Sequence, residues 1–136
     1  MGDLQRLVFC VPTYNRSAMV EEFLEQFAPI FYQLKIDICF YDSSEDNTTE
    51  LLVKRWRNGY QNIAYIRIPS DWHANHKVMY IYKQYAQNHT SDYVWISGDS
   101  MRYSEKVLRH ITALLDSGYD MMGINGIDEV GTASRE

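Results

Sequence analysis

Tyr93-Val94-Trp95-Ile96-Ser97-Gly98-Asp99-Ser100 runs from apolar residues into a short polar turn that carries one carboxylate. Upstream, Ile36-Asp37-Ile38-Cys39-Phe40-Tyr41 leads in the same way into Asp42-Ser43-Ser44-Glu45-Asp46-Asn47-Thr48. Nearer the start, Leu7-Val8-Phe9-Cys10-Val11 leads into Pro12-Thr13-Tyr14-Asn15-Arg16. Short apolar runs closed by turn residues are the pattern of strands buried in a parallel sheet. Open α/β sheets bind ligands outside the carboxyl ends of their strands, so the three loops are expected at one edge. Two carboxylates, Asp42 and Asp99, without a glycine-rich phosphate turn, point to a nucleotide site that works with a metal ion.

Longer segments with helical spacing separate these runs. Strands are expected over 6–11, 35–41, 63–68, 93–96 and 119–124, and helices over 17–33, 46–58, 75–88 and 104–117. Val107, Leu108, Ile111, Leu114 and Leu115 mark one buried face of the last helix. Ser44, Asp46 and Asn47 are placed to cap the second helix, Ser104 the last, and Gly118 to stop it. Strands alternating with helices predict an α/β fold, a mostly parallel sheet flanked by helices. Residues 1–127 read as one domain, with nothing that looks like an ending. Residues 128–136 lose apolar periodicity and read as a frayed tail.

The 136 residues suffice for one real core, and 46% hydrophobic with 23% charged content describes an ordinary globular chain. The net charge of −5, with no basic run, argues against nucleic acid as a partner. No apolar stretch is long enough to span a bilayer and no signal peptide is visible, so a cytoplasmic location is expected. Association with a membrane through missing segments or a partner stays open. Cys10 and Cys39 sit inside apolar runs and read as free buried thiols. His73 and His76 lack a third ligand for zinc. Tyr80, Tyr82 and Tyr85 follow helical packing and are expected to cover the sheet.

With the loops placed, the chain resembles the nucleotide-binding half of a family-2 glycosyltransferase with the Rossmann-like GT-A fold. Three motifs carry the likeness: Pro12-Thr13-Tyr14-Asn15-Arg16, then Tyr41-Asp42-Ser43-Ser44-Glu45-Asp46-Asn47-Thr48, then Tyr93-Val94-Trp95-Ile96-Ser97-Gly98-Asp99. The chain departs from the family pattern at Tyr41 and Ser97, which replace acidic residues, and at Ser43, which replaces a glycine.

The resemblance implies a glycosyltransferase domain that binds a nucleotide-sugar donor, a UDP-sugar by default, and transfers the sugar with inversion to a hydroxyl of a saccharide or glycoconjugate acceptor. It implies that Asp42 accepts the uracil N–H, that Pro12, Thr13 and Tyr14 line the base, and that Arg16, Ser44, Lys77 and Gly98 complete the nucleotide site. Asp99 would hold Mn2+ or Mg2+, hard cations suited to one or two carboxylates plus phosphates. The family keeps its catalytic base in a second half that these residues do not include, so no base is named. A truncated half would expose apolar surface, which makes homo-oligomers an expectation.

Bland roles compete: Asp42 as a helix cap, Asp99 as a turn carboxylate, Tyr14 as packing, Arg16 as a solvated helix start. A non-catalytic nucleotide- or partner-binding module of the same fold is the alternative function. A dinucleotide-dependent oxidoreductase is disfavoured, because the first turn lacks Gly-x-Gly-x-x-Gly.

Overall fold

A computed structural model describes residues 7–88, 93–116, 126–127 and 133–134. Four parallel strands form its sheet: β1 (Leu7–Thr13), β2 (Asp37–Asp42), β3 (Ile63–Arg67) and β4 (Tyr93–Ile96). Their spatial order is β3-β2-β1-β4. The connecting helices are α1 (Ser17–Gln33), α2 (Thr48–Arg57) and α3 (Ala74–Asn88), and α4 (Glu105–Asp116) follows β4. Gly126–Ile127 (β5) and Ala133–Ser134 (β6), the latter inside the expected tail, form a small antiparallel pair. The strand expected over 119–124, Gly118 and the Tyr85 side chain lie outside the described residues.

The sheet order explains which helix covers which face. From β1 to β3 the chain steps outward in one direction, then returns past β1 to place β4. Right-handed crossovers put helices of opposite steps on opposite faces. Accordingly, α1 and α2 bury Phe23, Phe27, Phe31, Leu52 and Val53 against Phe9, Val11, Ile38 and Phe40. Ile81 of α3 packs on the other face with Val8, Cys10, Cys39 and Tyr41. Leu108 and Ile111 of α4 join the first face.

Phe9, at 0% exposure, is the hub of the larger core. Its ring lies 5.1 Å from that of Phe31, 4.7 Å from Trp95 and 5.6 Å from Tyr103, edge to face in each case. Such geometry adds to the stabilisation from buried area alone. Cys10 and Cys39 are buried and in register across β1 and β2. Burial pushes the Cys39 thiol up to about 11.

Three local expectations change. Val107, expected on the buried face of α4, is 36% exposed. Ser44 does not cap α2; its hydroxyl accepts the Asn15 N–H at 2.8 Å, and the Asp46 carboxylate takes the Thr48 N–H at 3.1 Å instead. Tyr80 packs on the sheet, but Tyr82 is 58% exposed, because two helical steps of 100° carry it to the outer side. The Ser104 cap is present, with its Oγ accepting the Val107 N–H at 3.1 Å.

Candidate functional site

The reversal in strand order opens a crevice between the carboxyl ends of β1 and β4, the place where such sheets bind ligands. β4 ends at Ile96, paired with Cys10, while β1 continues to Thr13. Pro12 lies beyond that last pairing, so its missing N–H removes nothing from the β1–β4 ladder. A cavity of about 450 Å³ fills the crevice. Of the residues expected to bind the nucleotide or metal, Pro12, Thr13, Tyr14, Arg16, Lys77, Gly98 and Asp99 all line it.

Asp99 is the anchor of this cavity and is 4% exposed. Its Oδ2 accepts the Thr13 hydroxyl at 2.8 Å, and its Oδ1 accepts Arg16 Nη1 at 2.8 Å. Burying a carboxylate is costly unless it is paired and hydrogen-bonded, and these contacts supply both. The turn behind it is held by Arg102, whose Nη1 donates to the carbonyls of Asp99 (2.9 Å) and Met101 (2.8 Å). The Arg102 guanidinium also lies over the Phe23 ring, 5.7 Å from its centroid. Ser97, in the cavity wall, shares a 2.6 Å hydrogen bond with the Tyr103 hydroxyl.

Lys77 enters from the first turn of α3, with Nζ 5.7 Å from the Tyr14 ring centroid. Partial burial lowers its pKa, and the charges of Asp42 and Asp99 act against that shift. A cation held in a partly desolvated cavity, near the first turn of a helix, is suited to an anionic ligand. Gly98 leaves room: a Cβ built there meets no atom within 4 Å.

Asp42 is not in this cavity. It is 0% exposed, and Ser44 and Tyr65 occupy its two oxygens. Oδ1 accepts the Ser44 N–H (2.9 Å) and hydroxyl, Oδ2 accepts the Tyr65 hydroxyl, and Arg67 Nη2 stands 3.8 Å from Oδ2. Ser44 lines a second cleft instead, of about 600 Å³, together with Glu45, Arg67 and Pro69. Arg67 spans this cleft, donating to the carbonyls of Ser44 (2.6 Å) and Asp46 (2.8 Å).

The β1–α1 and β2–α2 loops are joined to each other at the same sheet edge, on the side of β1 away from the crevice. Asn15 adopts a φ of 50°, a left-handed conformation that asparagine tolerates better than most residues. In that conformation its Oδ1 accepts the Glu45 N–H at 3.0 Å and its Nδ2 donates to Glu45 Oε1 at 3.1 Å. The Tyr14 hydroxyl donates to the same oxygen at 2.7 Å. These bonds hold the Glu45 carboxyl below its usual range and push the Tyr14 phenol up.

Tyr65, Arg67, Glu45 and Arg102 were not singled out from the sequence. Arg67, a charge closing an otherwise apolar strand at the ligand-binding edge, was the one visible signal. Among the described residues, no three His, Cys, Asp or Glu side chains gather into a metal cage, and no helix is long and apolar enough to cross a membrane.

The profile of glycosyl transferase family 2 matches residues 8–127. An abequosyltransferase of Salmonella typhimurium is 30% identical over 114 residues, which are 83% of this chain and 33% of that protein. A mannosyltransferase of Pyrobaculum calidifontis, solved with GDP-Man and Mn2+, superposes with a TM-score of 0.59 at 22% identity. That match covers 87% of this chain and 34% of the mannosyltransferase. The chain therefore spans about a third of the length of the relatives it matches.

Proposed function

Because the chain belongs to glycosyl transferase family 2 and has the Rossmann-like GT-A fold, we propose that its β1–β4 cavity holds the diphosphate of a nucleotide-sugar donor, UDP-linked by default. The observation that carries this reading is the convergence of Asp99, Thr13, Arg16 and Lys77 on one cavity at the topological switch point.

The donor set suits a divalent metal. Asp99 already carries a cation, the Arg16 guanidinium, and an ionised carboxylate has about four lone-pair sites for its contacts. Mg2+ commonly takes one or two carboxylates together with substrate phosphates. Asp99 would hold the ion, with Mn2+ and Mg2+ as the candidates, and a bound metal supplies positive charge against a leaving diphosphate. Thr13 fixes the rotamer of Asp99. Lys77 and Arg16 add charge against the phosphates, and Tyr14 offers a 41% exposed ring to the base.

Asp42 reads the base in this proposal only after Tyr65 releases its Oδ2; with Tyr65 in place it braces the β2 and β3 loop ends. We propose transfer with inversion to a saccharide or glycoconjugate hydroxyl as the reaction that this site serves. The competing reading, a nucleotide-holding module without transfer, draws on Ser97 replacing an acidic residue, which leaves Asp99 as the cavity's one carboxylate among the described residues.

Saturation-transfer NMR with UDP, GDP and ADP, each with Mg2+, tests the reading. Transfer to at least one diphosphate, reduced by Lys77→Met, is expected. No transfer from any of them would overturn it. A preference for GDP would change the base and leave the diphosphate site standing.

A further inference from the structure

Asp99 presents an unusual balance of charge. Its carboxylate is almost wholly buried, yet the cation on it belongs to a side chain that is 54% exposed. Arg16 comes from the turn that opens α1, 83 residues away in sequence, and its Nη1 reaches Oδ1 at 2.8 Å. The other oxygen is held by Thr13, which is itself buried. The carboxylate is thus fixed in place, and its charge partner is half-exposed.

We propose that Arg16 is an internal cation that fills the metal position on Asp99 until a metal–diphosphate arrives, and then exchanges from the carboxylate to the phosphate. The inference rests on the reading that Asp99 binds the metal. Three considerations favour exchange over a permanent pair. The Arg16 side chain is half-exposed, so water can meet its guanidinium as it turns from the carboxylate to a ligand. Leaving Asp99 without any cation would strand a buried charge, so a substitute has to enter as Arg16 leaves. Arg16 lines the same cavity as Lys77, so a diphosphate seated there lies within the reach of its long side chain. The chain therefore keeps the cavity balanced when empty and makes free metal compete with its own arginine. Metal then binds well only together with the phosphate that draws Arg16 away.

Manganese EPR tests this, because the signal of free Mn2+ falls as the ion binds, without reference to activity. Mn2+ is titrated into the wild-type chain, Arg16→Gln, Arg16→Lys and Asp99→Asn, without nucleotide and then with UDP. Arg16→Gln is expected to bind Mn2+ alone roughly fivefold more tightly than wild type, the factor that corresponds to losing a competing pair of about 1 kcal/mol. Arg16→Lys keeps the charge and is expected to stay within about twofold of wild type. With UDP the Arg16→Gln advantage shrinks or reverses, and Asp99→Asn binds no Mn2+. If Arg16→Gln matches wild type while Asp99→Asn loses the ion, the exchange is overturned and the metal reading survives. If Asp99→Asn retains Mn2+, or no variant takes it up with UDP present, the metal reading itself falls and the exchange falls with it.

Discussion

Tyr65→Phe removes one hydroxyl and leaves the ring in place, so it isolates a single contact of the buried Asp42. That carboxylate has 0% exposure and accepts from Ser44 on one oxygen and from Tyr65 on the other. A hydrogen bond to a charged group contributes about 1.5–3 kcal/mol. Arg67, 3.8 Å from the same oxygen and 39% exposed, can close on the vacated position and recover up to about 1 kcal/mol. The expected loss is therefore about 0.5–3 kcal/mol, a sizeable share of the stability of an ordinary domain. Urea unfolding followed by far-UV circular dichroism reads it as a lower midpoint at unchanged slope. Tyr32→Phe is the control, since that ring is 52% exposed. A double-mutant cycle with Asp42→Asn should return a coupling of at least about 0.5 kcal/mol. A Tyr65→Phe loss below about 0.5 kcal/mol, equal to the control, would refute the account of Asp42 as a braced carboxylate.

Phe9→Ala empties the hub of the aromatic core and should cost about 3–5 kcal/mol in the same assay; a loss under about 1.5 kcal/mol would mean the cluster is loosely packed. Cys39, with its thiol at about 11 against 9.0 when unfolded, retains its proton in the folded chain over that window. The folded state then binds more protons, so this group's contribution falls as pH rises from 9 to 11, by up to about 3 kcal/mol. Comparing wild type with Cys39→Ala across that range isolates the effect, and a difference that stays constant with pH would contradict it. Gly98→Ala should leave stability within about 0.5 kcal/mol, because its Cβ meets no atom, while weakening nucleoside diphosphate binding. Unchanged affinity would move the ligand away from that wall.

The parts of the fold that depend on local pattern were legible in the residues. α1 spans Ser17–Gln33 and β4 spans Tyr93–Ile96, as the apolar spacing predicts. The sheet edge carrying the three loops followed from the alternation of strands and helices. What was hidden depends on contacts between distant segments. The pairing of Arg16 with Asp99 spans 83 residues, and that of Tyr65 with Asp42 spans 23. Neither leaves a mark on local periodicity, since an arginine in a turn and a tyrosine in a strand satisfy ordinary propensities. Contacts from β3 set the two buried carboxylates apart: Asp99 lines the cavity, whereas Asp42 is enclosed by Tyr65. The position of Ser44 before α2 fits a helix cap, but its hydroxyl accepts from Asn15 of the first loop and donates to Asp42.

The central claim is that the crevice between β1 and β4 holds a metal–nucleoside diphosphate on Asp99. Calorimetric titration of UDP into the chain, first with Mn2+ and then with EDTA, tests it most directly. The account predicts saturable binding with Mn2+ that is lost with EDTA and absent in Asp99→Asn. Binding of equal strength with EDTA, or in Asp99→Asn, would contradict it.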